Sequence, residues 1–290
     1  MNAFDYISEQ ITIQLSPEGL KGYTQFLLLS ALMFYPLEHF FRTNQQAKFR
    51  KEWHIDLLFF TGQFFIFNAI SIGCLLWLAQ LINAANLQYF QTQIALQPYW
   101  LQLFEIVFLC DISIYWAHRL SHRYQCLWRF HQIHHTAERL DWLAAYREHP
   151  LDNIYTRVIE NLPALLLGFP METIAGFVVF RGLWGLFIHS NVNITMGPLA
   201  YLIGSPRLHH WHHDKHLNEG CNFANLSPLM DLMFGTYYDP GEEPKEYGIR
   251  EEVNRGYLAQ IIQPCIPKLL WLALFSSSSP KEQDIHSEIE

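Results

Sequence analysis

Fifteen histidines stand out in this chain of 290 residues, and twelve of them fall from His118 to His216. They are grouped as His118-x-x-x-His122, His131-x-x-His134-His135 and His209-x-x-His212-His213. Positions i, i+3 and i+4 share a helix face, whereas adjacent residues diverge by about 100°. A pair such as His134-His135 can therefore serve two neighbouring metal ions. Neutral imidazole is a good ligand for first-row metals, iron included. Eight clustered histidines exceed the needs of one ion and fit two. His189 and His149 stand alone in sequence, and His216 lies i+4 from His212 and i+3 from His213. These three are further candidates, although an isolated histidine is more often a satisfied polar residue than a ligand. His210 points away from the stripe. Asp111 lies seven residues before His118 on a similar helix face, where it can accept from a ligand's second ring nitrogen.

Other chemistries compete with this one. HExxH is absent, which weighs against the commonest metalloprotease motif. A zinc-dependent membrane hydrolase would use three or four protein ligands, fewer than are clustered here. A metal transporter would place its ligands near a bilayer midplane, and a metal sensor is the remaining alternative. The chain has no GxGxxG fingerprint, CxxCH haem site or ferredoxin cysteine pattern. Redox chemistry would therefore need a separate electron donor.

The elements that must position the histidines are apolar. Runs at 22–41, 55–82 and 99–117 are each of a length that crosses a bilayer. The stretch 154–188 is interrupted by Gly168-Phe169-Pro170 and reads as a helical hairpin with arms of about 15 to 18 residues. Residues 264–275 are too few to span and read as an interfacial helix or cover. The polar tail 276–290 reads as disordered. One membrane-embedded domain, 1–290, results: membrane helices over 1–98, a core over 99–240, and the tail.

The basic residues set an orientation. Arg42, Lys48, Arg50 and Lys51 follow the first run, and Arg119, Arg123, Arg129, Arg139 and Arg147 follow the third. Residues 83–98 and 168–172 carry no Lys or Arg. The positive-inside rule then puts the N-terminus outside and every histidine cluster on the cytoplasmic face. The hairpin places Glu160 and Arg181 at one depth, where an ion pair is expected.

Composition agrees. Half the residues are hydrophobic and 16% are charged, against roughly 25% in soluble domains. The net charge of −8 excludes nucleic acid as an expected partner. Five scattered cysteines form no CxxC pair and read as free thiols. The first 20 residues lack Lys and Arg, so no signal-peptide n-region is visible.

The order HxxxH, HxxHH, HxxHH resembles the fatty acid hydroxylase/sterol desaturase superfamily, and so does the text around it. The matching stretches are 111–122, 131–138, 147–152, 205–213, Asn222-Phe223 and 234–237, within residues 105–240. The resemblance implies an all-α integral-membrane fold with about four membrane helices or hairpin arms under a cytoplasmic helical cap. It implies a di-iron centre, with zinc a possible substitute, and O2-dependent hydroxylation or desaturation of a sterol, fatty acyl or alkylglycerol lipid. The eight motif positions are His118, His122, His131, His134, His135, His209, His212 and His213, and His189 sits where the family places a further ligand. Electrons would come from a cytochrome b5-like protein, a ferredoxin or a similar donor.

Overall fold

The computed structural model describes residues 2–266 apart from 48, 85–86, 195, 218–219 and 252. It is helical, and no strand occurs among the described residues; two isolated bridges, Arg42–Val192 and Asp214–Tyr247, pin loops together. The short helix α1 (Ala3–Gln14) precedes α2 (Pro17–Phe40). Ser16 caps α2 by accepting from the Gly19 N–H at 3.1 Å, and Pro17 supplies a first helical residue with no N–H to satisfy.

The second apolar run forms α3 (Trp53–Ala84), which is π-helical over Gln63–Phe67. After α4 (Gln88–Ala95), Pro98 opens α5 (Tyr99–Arg123). This helix continues past residue 117 and carries His118 and His122 on its last turns. By length and composition α3 and α5 can cross a membrane. The runs at 22–41 and 173–189 are helical but do not pass the same test among the described residues.

The hairpin forms as its sequence predicts. The arms are α6 (Gln125–His131)'s successors in the chain, α7 (Pro150–Leu167) and α8 (Met171–His189). Gly168 ends α7 at φ 71°, a left-handed conformation that glycine adopts without a Cβ penalty. Arg181 of α8 pairs with Glu160 of α7, both buried, and Arg157 adds a second contact to Glu160 at 3.3 Å.

The core lies where these helices meet. Ile106 and Cys110 of α5 pack with Ala164 and Leu165 of α7 and Phe177 of α8. Phe34, Phe60, Trp142 and Leu186 join α2, α3 and α8. Large apolar residues face outward instead at Leu28, Leu29 and Leu32, at Phe104, and at Val179 and Phe180. That pattern marks an apolar environment around the helices. Beyond the ends of α5 and α8 the chain makes short helices, including α9 (Pro206–His212), α10 (Leu229–Phe234) and α11 (Tyr257–Ile262). The segment read as interfacial is described only to Ile266, with a 3-10 turn at Gln263–Cys265. Its remainder, and the tail 276–290, lie outside the described residues.

Candidate metal centre

Nine histidines converge beside the C-terminal ends of α5 and α8. His118, His122, His131, His135 and His212 form one group, and His134, His189, His209 and His213 form a second. Within each group the offered ligand atoms all lie within 4.8 Å of one another. The groups adjoin: the rings of His135 and His213 are 4.5 Å apart between centroids.

Local structure explains this sorting. On α5 the i, i+4 spacing puts His118 and His122 on one face. The second cluster is not one helix: α6 ends at His131, and His134–Thr136 is a 3-10 turn. His135 still returns to His131, with 3.3 Å between Nε2 atoms, while His134 turns to His189 of α8 at 3.0 Å. The third cluster divides likewise. His209 on α9 and His213 at its C-cap meet at 3.1 Å, and His212 points to the other group. Each adjacent pair thus serves both groups.

The hydrogen bonds test whether a cation fits. His134 Nδ1 donates to the Arg147 carbonyl at 3.2 Å, and His189 Nδ1 to the Gly185 carbonyl at 2.7 Å. A carbonyl only accepts, so each Nδ1 carries the proton and each Nε2 presents a lone pair. Those two Nε2 atoms face each other at 3.0 Å. His118 donates to the Phe223 carbonyl and His212 to the Cys221 carbonyl, each at 2.7 Å. Nε2 of His122 and of His212 are buried with no protein partner. Burial pulls His134 down to about 4 and His212 to about 3, and holds His135, His209 and His213 well below the usual imidazole value, with neighbouring imidazoles adding to the effect. Neutral rings with converging lone pairs repel one another unless a cation lies among them. The residues present therefore fit metal ions in both groups.

Three expected roles are not taken. Asp111 lies about two turns, roughly 10 Å, below His118 along α5. Its Oδ1 accepts from the Leu226 N–H at 3.4 Å and touches no histidine of the site, since His118 Nδ1 is already held by Phe223. Asp152 of α7 takes such a role instead, accepting from His131 Nδ1 at 2.8 Å. His149 caps α7: its Nδ1 accepts from the Leu151 N–H, its Nε2 donates to the Ile261 carbonyl, and it lies in neither group. His216 is exposed beside Glu246, because α9 ends at His212 and the i+4 relation is lost. His210 bonds Glu243 and the Ser190 carbonyl.

Asp152 lies inside a stretch that carries the family resemblance, yet no spacing pairs it with His131. Asp231 was equally hidden. It accepts from the N–H groups of Phe223 and Ala224 and so shapes the loop whose carbonyls hold His118 and His212. Asp152→Asn is expected to weaken metal at the five-histidine group by about 10- to 100-fold, the usual cost of losing a ligand's outer partner. A metal titration of the purified variant measures this.

Beside the histidines lies a cavity of about 130 Å³. His118, His131, His134, His189 and His209 form one wall. Gln63, Glu148, Thr156, Arg157, Arg181 and Asn225 supply polar groups, while Ile114, Leu186 and Ile188 are apolar. Gly182 and Gly185 of α8 open it further, since a Cβ at either would meet nothing within 4 Å.

A helical protein with apolar, bilayer-length helices and two adjoining histidine groups belongs to a narrow class. Residues 103–236, a little under half the chain, match the sequence model of the fatty acid hydroxylase family. Over that segment the chain is similar to lipid hydroxylases, monooxygenases and desaturases of the fatty acid hydroxylase/sterol desaturase superfamily. It is similar to an ornithine lipid hydroxylase of Rhizobium tropici, 35% identical over 170 residues, covering 57% of this chain and 51% of that protein. It is also similar to the alkylglycerol monooxygenase of Homo sapiens, 33% identical over 147 residues, covering 50% of this chain and 32% of the other. A Delta(7)-sterol-C5(6)-desaturase of Nicotiana tabacum is 28% identical over 139 residues, covering 47% and 49%. The chain thus matches about half the length, or less, of these relatives. No solved structure matches it.

Proposed function

We propose that this chain is a di-iron lipid oxygenase that hydroxylates, or desaturates, a C–H bond of a membrane lipid with O2. The single observation that carries the reading is the pair of adjoining histidine groups opening on one cavity. His118, His122, His131, His135 and His212 would hold one ion, and His134, His189, His209 and His213 the other. Two ferrous ions bound there supply the reductive activation of O2. Hydroxylation consumes one O2, two electrons and two protons and yields an alcohol and one water; desaturation yields an alkene and two waters. The electrons come from a separate protein donor.

The chain's own residues orient and enclose. The carbonyls of Phe223, Cys221, Arg147 and Gly185 fix the imidazoles in the Nδ1–H form. The apolar wall of Ile114, Leu186 and Ile188 excludes water and receives hydrocarbon, and Gly182 and Gly185 leave room for it between α7 and α8. Glu148, held by Gln63 Nε2 at 3.1 Å and Asn153 Nδ2 at 2.9 Å, presents a fixed polar group to the same space. A lipid entering from the bilayer reaches the histidines without crossing water.

In this reading α2, α3, α5 and the α7–α8 hairpin form the membrane base under a cytoplasmic cap, with the N-terminus outside. Residues 1–98 are the leading helices and 99–240 the catalytic core. A zinc hydrolase draws no support from the site, because a zinc ion takes three or four protein ligands and nine imidazoles converge here.

The test is metal content with O2 uptake by purified protein and a chemical reductant. Lipid extracts of expressing and non-expressing cells, compared by mass spectrometry, should differ by +16 or −2 mass units in one lipid class. Stoichiometric zinc with O2-independent ester cleavage would overturn the reading.

A further inference from the structure

The segment that supports His134 is gripped from outside the family region. The Arg147 carbonyl is the acceptor for His134 Nδ1. The Arg147 side chain is fully buried, at 0% exposure. Its Nε donates to Asp56 Oδ1 at 2.5 Å, and its Nη1 to Glu52 Oε2 at 2.8 Å and Thr136 Oγ1 at 3.3 Å. Asp56, also at 0% exposure, sits in the first turn of α3, and Glu52 is the residue that precedes that helix. Further along α3, Gln63 opens the π-helical turn, and its Nε2 donates to the Tyr146 carbonyl and to Glu148, each at 3.1 Å. Three consecutive residues, Tyr146 to Glu148, are thus held by one helix that lies wholly before residue 103.

We propose that Asp56 is a positioning residue for the metal centre: by clamping the Arg147 guanidinium it holds the Arg147 carbonyl on His134 Nδ1 and so aims His134 Nε2 into the four-histidine group. The inference rests on the two-site reading above. Its energetics follow from burial. Asp56 is the carboxylate between two guanidiniums, Arg50 and Arg147. Neutralising it removes the carboxylate that both cations share in a dry environment, leaving Arg50 with Asp141 and Arg147 with Glu52, and the segment carrying the carbonyl must shift to rebalance them. The five-histidine group is held mainly from elsewhere: His118, His131 and His212 are fixed by Phe223, Asp152 and Cys221, none of which touches Asp56, and only His135, next to Thr136, adjoins the clamp.

The experiment is a cobalt(II) titration of the full chain in detergent, read by visible absorption and by bound cobalt per chain. The parent should bind two cobalt ions. Asp56→Asn should bind the first normally and the second about 10- to 100-fold more weakly. Asp56→Glu, which restores the carboxylate, should recover most of that loss. Arg50→Met leaves the Asp56–Arg147 contact in place and should retain both ions. Unchanged binding in Asp56→Asn, loss of both ions in parallel, or an equal loss of the second ion in Arg50→Met would each overturn the proposal. Should Asp56→Asn fail to fold, Glu52→Gln removes the second arm on Arg147, and the same selective weakening is expected; unchanged binding there counts against the proposal. A parent that binds fewer than two ions contradicts the two-site reading itself, a failure visible before any variant is compared.

Discussion

His134→Ala is expected to leave about one metal ion per chain in place of two and to cut O2 consumption by about a thousandfold or more, since bound metal supplies several kcal/mol of the barrier lowering. The neighbouring variant, His135→Ala, should be milder in metal content. The two residues are adjacent in sequence but belong to different groups. His134 is one of four imidazoles, and its loss leaves three. His135 is one of five, and its loss leaves four, still a complete set for most first-row ions. His134 also faces His189 at 3.0 Å across the group, so no other residue of the turn can replace it. Metal analysis of both variants beside the parent checks the order. Equal metal loss in the two would contradict the assignment of the adjacent pair to separate sites.

The histidine pattern was legible because its information is local. The spacing of His118 and His122 fixes a shared helix face, and α5 does continue through both. Gly168-Phe169-Pro170 announced the hairpin, and the depth argument for Glu160 and Arg181 followed from counting residues on either side of it. What could not be read was anything supplied by a backbone carbonyl. Phe223, Cys221, Arg147 and Gly185 hold four imidazoles through main-chain oxygens that every residue type possesses. Asp111 and Asp152 show the same limit for side chains. Helical periodicity favours Asp111, but only the packing of α7 against α6 brings Asp152 to His131. The 131–135 cluster was right in its division and wrong in its helix, because a 3-10 turn can spread adjacent rings as an α-turn does. Helix α1 precedes the first apolar run, and its only local signal is the capping box of Asn2 and Asp5 at its start.

Glu160→Ala is the substitution expected to cost most in stability, about 3–5 kcal/mol, the range for removing one partner of a buried ion pair. Glu160 is 2% exposed and Arg181 6%. Without the carboxylate, Arg181 stays between α7 and α8 as an uncompensated charge, and Arg157 loses its own contact to Glu160. Arg157 is the less trapped of the two, with a third of its side chain accessible, so it can turn outward. Arg181 cannot. The penalty therefore belongs to Arg181, which gives the decisive comparison. Glu160→Leu combined with Arg181→Met removes both charges while keeping most of the volume, and it should recover most of the lost stability, since apolar isosteres of a buried pair are often neutral or better. Detergent-solubilised thermal unfolding of the single and double variants measures the difference. The same pair borders the cavity through Arg181. If the double variant is stable and holds two metal ions yet turns over poorly, the pair orients substrate as well as closing the hairpin. If it is stable and fully active, the pair serves the membrane fold alone.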